Sequence, residues 1–209
     1  MMMLEQKTTE FLDVLSSSAP VPGGGGASAA VGAFASALGM MVTNLTIGKK
    51  KYIDVEAEME DIRSRLESLR QELVELTDRD AKAFEPLAKA YGLPKETEEQ
   101  RIEKERVMEK ALYEASVVPL QIMKTVFRVM EDLEELGEKG SRLAVSDVGV
   151  AVLFARAALE GASLNIYINT RLMKNREQAE RLNKESDELI AEAGRLQEKI
   201  YTGVLAKIR

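Results

Sequence analysis

The stretch Pro22–Gly48 reads PGGGGASAAVGAFASALGMMVTNLTIG and carries no charge; the uncharged run reaches back to Val14. From Ala27 to about Ile47 nothing breaks a helix. Ser28, Gly32 and Ser36 recur every fourth residue, as do Ala29, Ala33 and Ala37. Ridges of such small side chains let neighbouring helices approach closely, within one chain or from a second subunit. The length matches a membrane span of about 20 residues. Ala, Gly, Ser and Thr dominate, however, and Asn44 adds an amide, so transfer into lipid gains little. The expectation is a central helix buried on all sides of a soluble bundle. The preceding Ala19–Gly26, with two prolines and four glycines, is expected to be irregular.

Outward from this helix the chain reads as helix nearly throughout, with no sustained two-residue alternation. A short first helix is expected over Leu4–Ser16. A third covers about Asp54–Tyr91, with Val55, Met59, Ile62, Leu66, Leu69, Leu73, Leu76, Asp80, Phe84 and Leu87 on one face; their steps of three and four define a single stripe. Pro86 should bend its last turns. A fourth begins at the capping box Thr97-Glu98-Glu99-Gln100, is kinked by Pro119 and ends near Gly137 and Gly140. A fifth runs from Ser146-Asp147 to about Asn169, with Arg156 and Glu160 as its only charges beyond Val148. The sixth, about Arg176–Lys207, shows one narrow apolar edge. The expected fold is all-α: an up-and-down bundle, one domain over residues 1–209, around a small-residue helix.

Composition narrows the chemistry. The chain has 209 residues, 45% apolar and 31% charged, with net charge -6. An acidic protein is a poor nucleic-acid binder through bulk electrostatics. It contains neither Cys nor His. Disulfides, thiolate or imidazole zinc sites, and Ser-His or Cys-His nucleophiles are therefore ruled out. Any acid or base must be Asp, Glu, Lys or Tyr. The N-terminus has acidic residues where a secretory signal has basic ones, so a cytoplasmic location is expected.

Asp80 interrupts the apolar stripe between Leu76 and Phe84. A carboxylate there either pairs with a cation from another helix, lies at the stripe's edge, or faces a cleft with its affinity for protons raised. Asp78 lies off the stripe and is expected in water. Gly23–Gly26 lead into a helix start whose free N–H groups suit an anion or a polar ligand edge, but the loop matches neither a P-loop nor a dinucleotide fingerprint. Lys49-Lys50-Lys51 either complements a helix C-terminus or docks a polyanionic tail, with Tyr52 offering a flat face. Asn165 and Asn169 share a face of the fifth helix; they bond to neighbouring helices or read a heterocycle. Asp147 is first a helix-start residue.

Pro22-Gly23-Gly24-Gly25, the small-residue helix ending in Asn44-Leu45-Thr46, and Gly48-Lys49-Lys50-Lys51-Tyr52 together resemble the cyclodeaminase/cyclohydrolase family of folate enzymes. So do Asp80-Ala81-Lys82-Ala83-Phe84 and Ser146-Asp147-Val148-Gly149-Val150, with Asn165 and Asn169 downstream. The resemblance spans nearly the whole chain in order. It implies an all-helical homodimer that acts on a tetrahydrofolate, polyglutamylated forms included, without metal or cofactor. It places catalytic carboxylates at Asp80 and Asp147. It places substrate contacts at Gly23, Gly24, Gly25, Ser28, Asn44, Lys49, Lys50, Lys51, Tyr52, Asn165 and Asn169. The implied reaction is hydrolysis of 5,10-methenyltetrahydrofolate, with formiminotetrahydrofolate deamination as the alternative. A non-enzymatic helical adaptor is the alternative of a different class. A magnesium-dependent hydrolase is disfavoured, because the Glu residues lie mainly off the buried stripe.

Overall fold

The computed structural model describes residues 2–209. After a 3-10 turn at Met3–Glu5 come α1 (Thr8–Leu15), α2 (Gly24–Thr46), α3 (Glu56–Tyr91), α4 (Glu98–Lys139), α5 (Val145–Thr170) and α6 (Arg176–Ile208). Two further 3-10 turns, Lys50–Val55 and Arg142–Ala144, precede α3 and α5. Among the described residues there is no strand.

The five long helices run alternately up and down. Ser36 Oγ donates to the Leu66 carbonyl at 2.7 Å while Gly25 packs on Asp80, which sets α2 antiparallel to α3. Arg65 pairs with Asp132 at 2.6 Å and Gln121 with Glu72 at 3.1 Å, setting α3 antiparallel to α4. Asn169 meets Ala115 while Gly137 lies near Val148, so α4 and α5 are antiparallel. Arg156 donates to the Ile190 carbonyl and Gly149 packs on Val204, fixing α6 against α5.

The expected α3 stripe is the core: Met59, Ile62, Leu66, Leu69, Leu73, Leu76 and Leu87 are buried. Glycines in α2 allow this closeness. A β-carbon on Gly32 would lie 2.7 Å from Val126, and one on Gly39 would lie 2.8 Å from Leu66. The Thr97–Gln100 box forms as read, with reciprocal bonds of 3.2 Å.

Three expectations change. Gly24–Gly26 are not loop but the first turn of α2, and Ala27 N–H bonds to the Gly23 carbonyl at 3.0 Å. The close approach of Gly25 to Asp80, where a β-carbon would lie 2.5 Å from the carboxylate carbon, requires glycine at that position despite its entropic cost in a helix. The N-terminal helix is shorter than expected, and Lys50–Val55 forms a separate turn before α3. Helix α4 runs through Gly137 and ends at Gly140, the second of the two glycines expected to mark its end, and Pro86 and Pro119 lie inside the spans of α3 and α4. Finally, α2 is not buried all round. Helices α3, α4 and α5 cover part of it, while Phe34, Met41 and Leu45 face outward. By length and hydropathy α2 passes as a membrane span, but 61% of that window is buried inside the bundle.

Candidate active site

The antiparallel crossing of α2 and α3 brings the start of α2 onto Asp80. The N–H groups of Gly24, Gly25 and Gly26 belong to the first helical turn and have no partner within it. Their lack of side chains is a steric requirement at one position above all. A β-carbon on Gly25 would overlap the Asp80 carboxylate, lying 2.5 Å from its Cγ. One on Gly24 would make ordinary contact with the Asn165 amide at 3.5 Å, and one on Gly23 would meet nothing.

Asp80 is half-buried. Desolvation raises its pKa from 3.8 to about 6, opposed only by a hydrogen bond from the Gly26 backbone N–H. Among the described residues no cation offsets the burial, so the paired alternative is not what this fold adopts. Asp78, expected in water, instead accepts from the Met3 N–H at 3.1 and 3.2 Å and ties down the N-terminus.

Two amides face Asp80 from α5. Asn165 Nδ2 donates to the Gly161 carbonyl at 3.0 Å. Asn169, 8% exposed, donates through Nδ2 to the Ala115 carbonyl at 3.1 Å. That second acceptor exists because of Pro119. Proline has no N–H, so the carbonyl four residues earlier loses its helical donor. The residue four before Pro119 is Ala115. Since a carbonyl can only accept, it fixes which end of Asn169 turns toward it and leaves Oδ1 for the cavity. Pro119 and Ala115 were not read as site residues from sequence; counting the carbonyl orphaned by an internal proline would have found them.

These groups enclose a cavity of about 180 Å³, lined by Gly23, Gly24, Gly25, Asp80, Asn165 and Asn169 and walled by Phe84 and Ile168. It offers backbone donors, amide acceptors and one carboxyl with a pKa near neutrality. That combination can bind a flat polar heterocycle and move a proton. A larger groove of about 330 Å³ between α1 and α2 is apolar, with Arg70 at its side and no acid or base. It is not where such chemistry occurs. Among the described residues no cluster of three potential ligands could hold a metal.

The remaining residues singled out from sequence lie elsewhere. Ser28 turns its hydroxyl to the Gly24 carbonyl at 2.7 Å and packs against Gly161. It serves the α2–α5 crossing and does not line the cavity. Asn44 is exposed at the far end of α2. Lys49, Lys50 and Lys51 are exposed just beyond it, roughly 33 Å from Gly24 at 1.5 Å per helical residue. Tyr52 Oη accepts from the Arg142 N–H at 3.0 Å, and Lys51 Nζ lies 5.5 Å from its ring. Asp147 sits in the first turn of α5, about 27 Å from Asn165 by the same rise. Within one chain Asp147 cannot share a proton with Asp80. The expected site is thus two clusters at opposite ends of the bundle.

Comparison with known proteins bears on the family and the fold. The sequence profile described as formiminotransferase-cyclodeaminase matches residues 7–188. A methenyltetrahydrofolate cyclohydrolase from Methylorubrum extorquens is 46% identical over 198 residues, 95% of each chain. The formimidoyltransferase-cyclodeaminase of Mus musculus is 29% identical over 91% of this chain, which spans 35% of that longer protein. The crystal structure of a formiminotetrahydrofolate cyclodeaminase from Thermotoga maritima superposes with a TM-score of 0.80 at 32% identity, covering 98% of this chain and 96% of that one.

Proposed function

The chain belongs to the formiminotransferase-cyclodeaminase family, and from that premise we propose that it hydrolyses 5,10-methenyltetrahydrofolate to 10-formyltetrahydrofolate. The observation that carries this reading is Asp80: a carboxyl without a cationic partner, raised to a pKa of about 6 by burial, at the wall of a cavity with two fixed amides. The relative that matches end to end at 46% identity is named for that reaction.

Water attacks the electrophilic methenyl carbon, and the Asp80 carboxylate takes one of its protons. The product of this step is a neutral carbinol between N5 and N10. Its C–N5 bond then breaks as Asp80 returns the proton to N5. The hydroxyl loses its own proton to solvent and becomes the formyl oxygen. One group thus acts as base and then acid, a role typically worth on the order of 10²–10⁴-fold. The Asn165 and Asn169 oxygens accept from N–H donors of the reduced pterin, and the Gly24 and Gly25 N–H groups donate to its acceptors. No metal or cofactor is required. Deamination would use the same carboxyl, with N10 attacking the formimino carbon and ammonia leaving; the Thermotoga maritima relative is named for that activity.

The proposal extends to a polyglutamylated substrate, a homodimer and the cytoplasm. Lys49–Lys51 take the glutamate tail, through exposed and salt-screened contacts. Lys50→Glu should raise KM more for long-tailed than for short-tailed substrate; equal loss for both would exclude the role. The reaction itself is tested by supplying each folate separately, following methenyl absorbance and assaying ammonia. Methenyl consumption with no ammonia released is expected. Ammonia release from the formimino compound without methenyl hydrolysis would reject the cyclohydrolase assignment.

A further inference from the structure

Residues 2–21 touch the bundle at few points, and we propose that they form a hinged lid over the Asp80 cavity. Asp78 latches it, it pivots beside Pro22, and Pro20 and Val21 are the surfaces it closes onto the substrate. The lid rests on the folate reading given under Proposed function.

Three observations converge. The first is how lightly the segment is attached. From Met2 to Gly23 only Phe11 and Pro22 are buried. Leu12 and Val14, on the same helix as Phe11, are 52% and 39% exposed. Among the described residues, the only hydrogen bonds from residues 2–21 to the rest of the chain run from the Met3 N–H to the Asp78 carboxylate, at 3.1 and 3.2 Å. The others close within the segment, as when Lys7 N–H donates to Glu10 and the Ser16 and Ser17 hydroxyls donate to the Asp13 and Val14 carbonyls. Helix α1 has 8 residues, fewer than the ~12–15 at which an isolated helix is even marginal in water. It therefore depends on docking for its order, and its docking is slight. Segments with few buried contacts open at little cost, and lids come from that end of the stability range.

The second is the surface beneath α1. An apolar groove of about 330 Å³ lies between Leu4, Phe11 and Leu15 on one side and Ala30, Ala33 and Val74 on the other. Packed interiors hold few gaps larger than a water molecule. The small side chains of α2 thus carry α1 without interlocking with it, and α1 can shift here without breaking a packed core.

The third is where the segment leads. Pro20 and Val21 line the Asp80 cavity. Pro22 is anchored at the first turn of α2, its Cβ 3.4 Å from where a β-carbon on Gly26 would lie. Helix α1 and this cavity wall are two ends of one short segment with a buried proline as its fixed point. The cavity holds about 180 Å³, short of the ~300–1,000 Å³ usual for a small-molecule site. A reduced pterin fused to its methenyl ring enters only if a wall moves. The remaining walls belong to long helices packed in the core; the Pro20–Val21 wall alone is loosely held. Reclosing over the substrate keeps bulk water from the Asp80 carboxyl and fixes the ring against the amides.

Hydrogen exchange on the whole protein, read by mass spectrometry with and without saturating 10-formyltetrahydrofolate, tests this. In the free protein, α1 amides should exchange at least about a hundredfold faster than those of the buried turns around Leu66–Leu76, and the folate should slow them about tenfold. Asp78→Ala removes the latch. It should speed α1 exchange in the free protein by roughly tenfold and raise KM by roughly 3–10-fold with kcat little changed. A tether gives an independent reading. The chain has no cysteine, so Thr8→Cys with Arg70→Cys supplies two thiols, both lining the groove under α1. Joined by a short bis-methanethiosulfonate linker, they hold the lid shut; kcat/KM should fall at least about tenfold and return when the linker is reduced. Helix α1 amides as slow as those of α3 in the free protein overturn the lid, as does a tethered protein with the untethered rate. A folate that protects Gly24–Gly26 but leaves α1 unchanged overturns it as well. A folate that protects neither would instead overturn the folate reading itself.

Discussion

Replacing Asp80 with Asn should make the protein less active and more stable, with the stability gain depending on pH. Burial raises the Asp80 pKa from 3.8 to about 6, a shift of roughly two units at 1.36 kcal/mol each, or about 3 kcal/mol at most. Because the folded value lies above the unfolded one, the folded chain binds this proton more tightly. The resulting stabilisation is full below about pH 4 and is lost as pH climbs through about 6. Near pH 8 the wild type holds a desolvated carboxylate, and an isosteric amide removes that cost. Water in the cavity shields part of the charge, so about 3 kcal/mol is the ceiling. For a domain of this size it corresponds to a Tm rise of roughly 6–12 °C. At pH 5 the gap should fall to about half. Thermal melts of both proteins at pH 5 and pH 8, read by circular dichroism, measure it. A variant no more stable than wild type at pH 8, or with the same gap at both pH values, would refute a desolvated Asp80.

Two substitutions probe how the site is held. Gly25→Ala places a methyl group in the Asp80 carboxylate, and displacing a catalytic group by about 1 Å costs on the order of a hundredfold in turnover. Gly23→Ala, with open space around it, should cost far less; equal effects measured by kcat would remove the steric argument. Pro119→Ala supplies the missing N–H to the Ala115 carbonyl and frees Asn169. Stability should rise, by up to about 3 kcal/mol from helix propensity. KM should also rise, by roughly 2–10-fold for one lost hydrogen bond, with kcat little changed. A double-mutant cycle with Asn169→Ala checks the route, since additive effects on KM would show that Pro119 does not act through Asn169.

The helices were legible because their signals are periodic and local. The α3 stripe and the Thr97 capping box depend on three- and four-residue spacing, and both appear where that spacing puts them. The Gly23–Gly26 segment misled because propensity disfavours glycine in a helix. Tertiary packing decided otherwise, since only glycine fits between α2 and Asp80. Asp80 stood out as a charge in an apolar stripe, but whether a cation met it depended on contacts with distant segments. The link from Pro119 through Ala115 to Asn169 joins residues 54 apart and has no periodic trace. The separation of Asp147 and the lysines from the cavity was hidden for a similar reason. Motif order along a chain says nothing about which end of an antiparallel bundle each motif reaches. The exposed side of α2 was missed because an uncharged helix reads alike whether or not its own chain covers every face of it.

The proton-transfer role of Asp80 is tested most directly by the pH dependence of kcat/KM for methenyltetrahydrofolate hydrolysis, corrected for the uncatalysed rate. With a carboxylate base of pKa about 6, the free-enzyme profile should rise tenfold per pH unit below that value and level off above about pH 7. Asp80→Asn should abolish the limb along with most of the rate. A profile that is flat from pH 5 to pH 8, or one whose limb survives in Asp80→Asn, would contradict the assignment of Asp80 as the group that moves the proton.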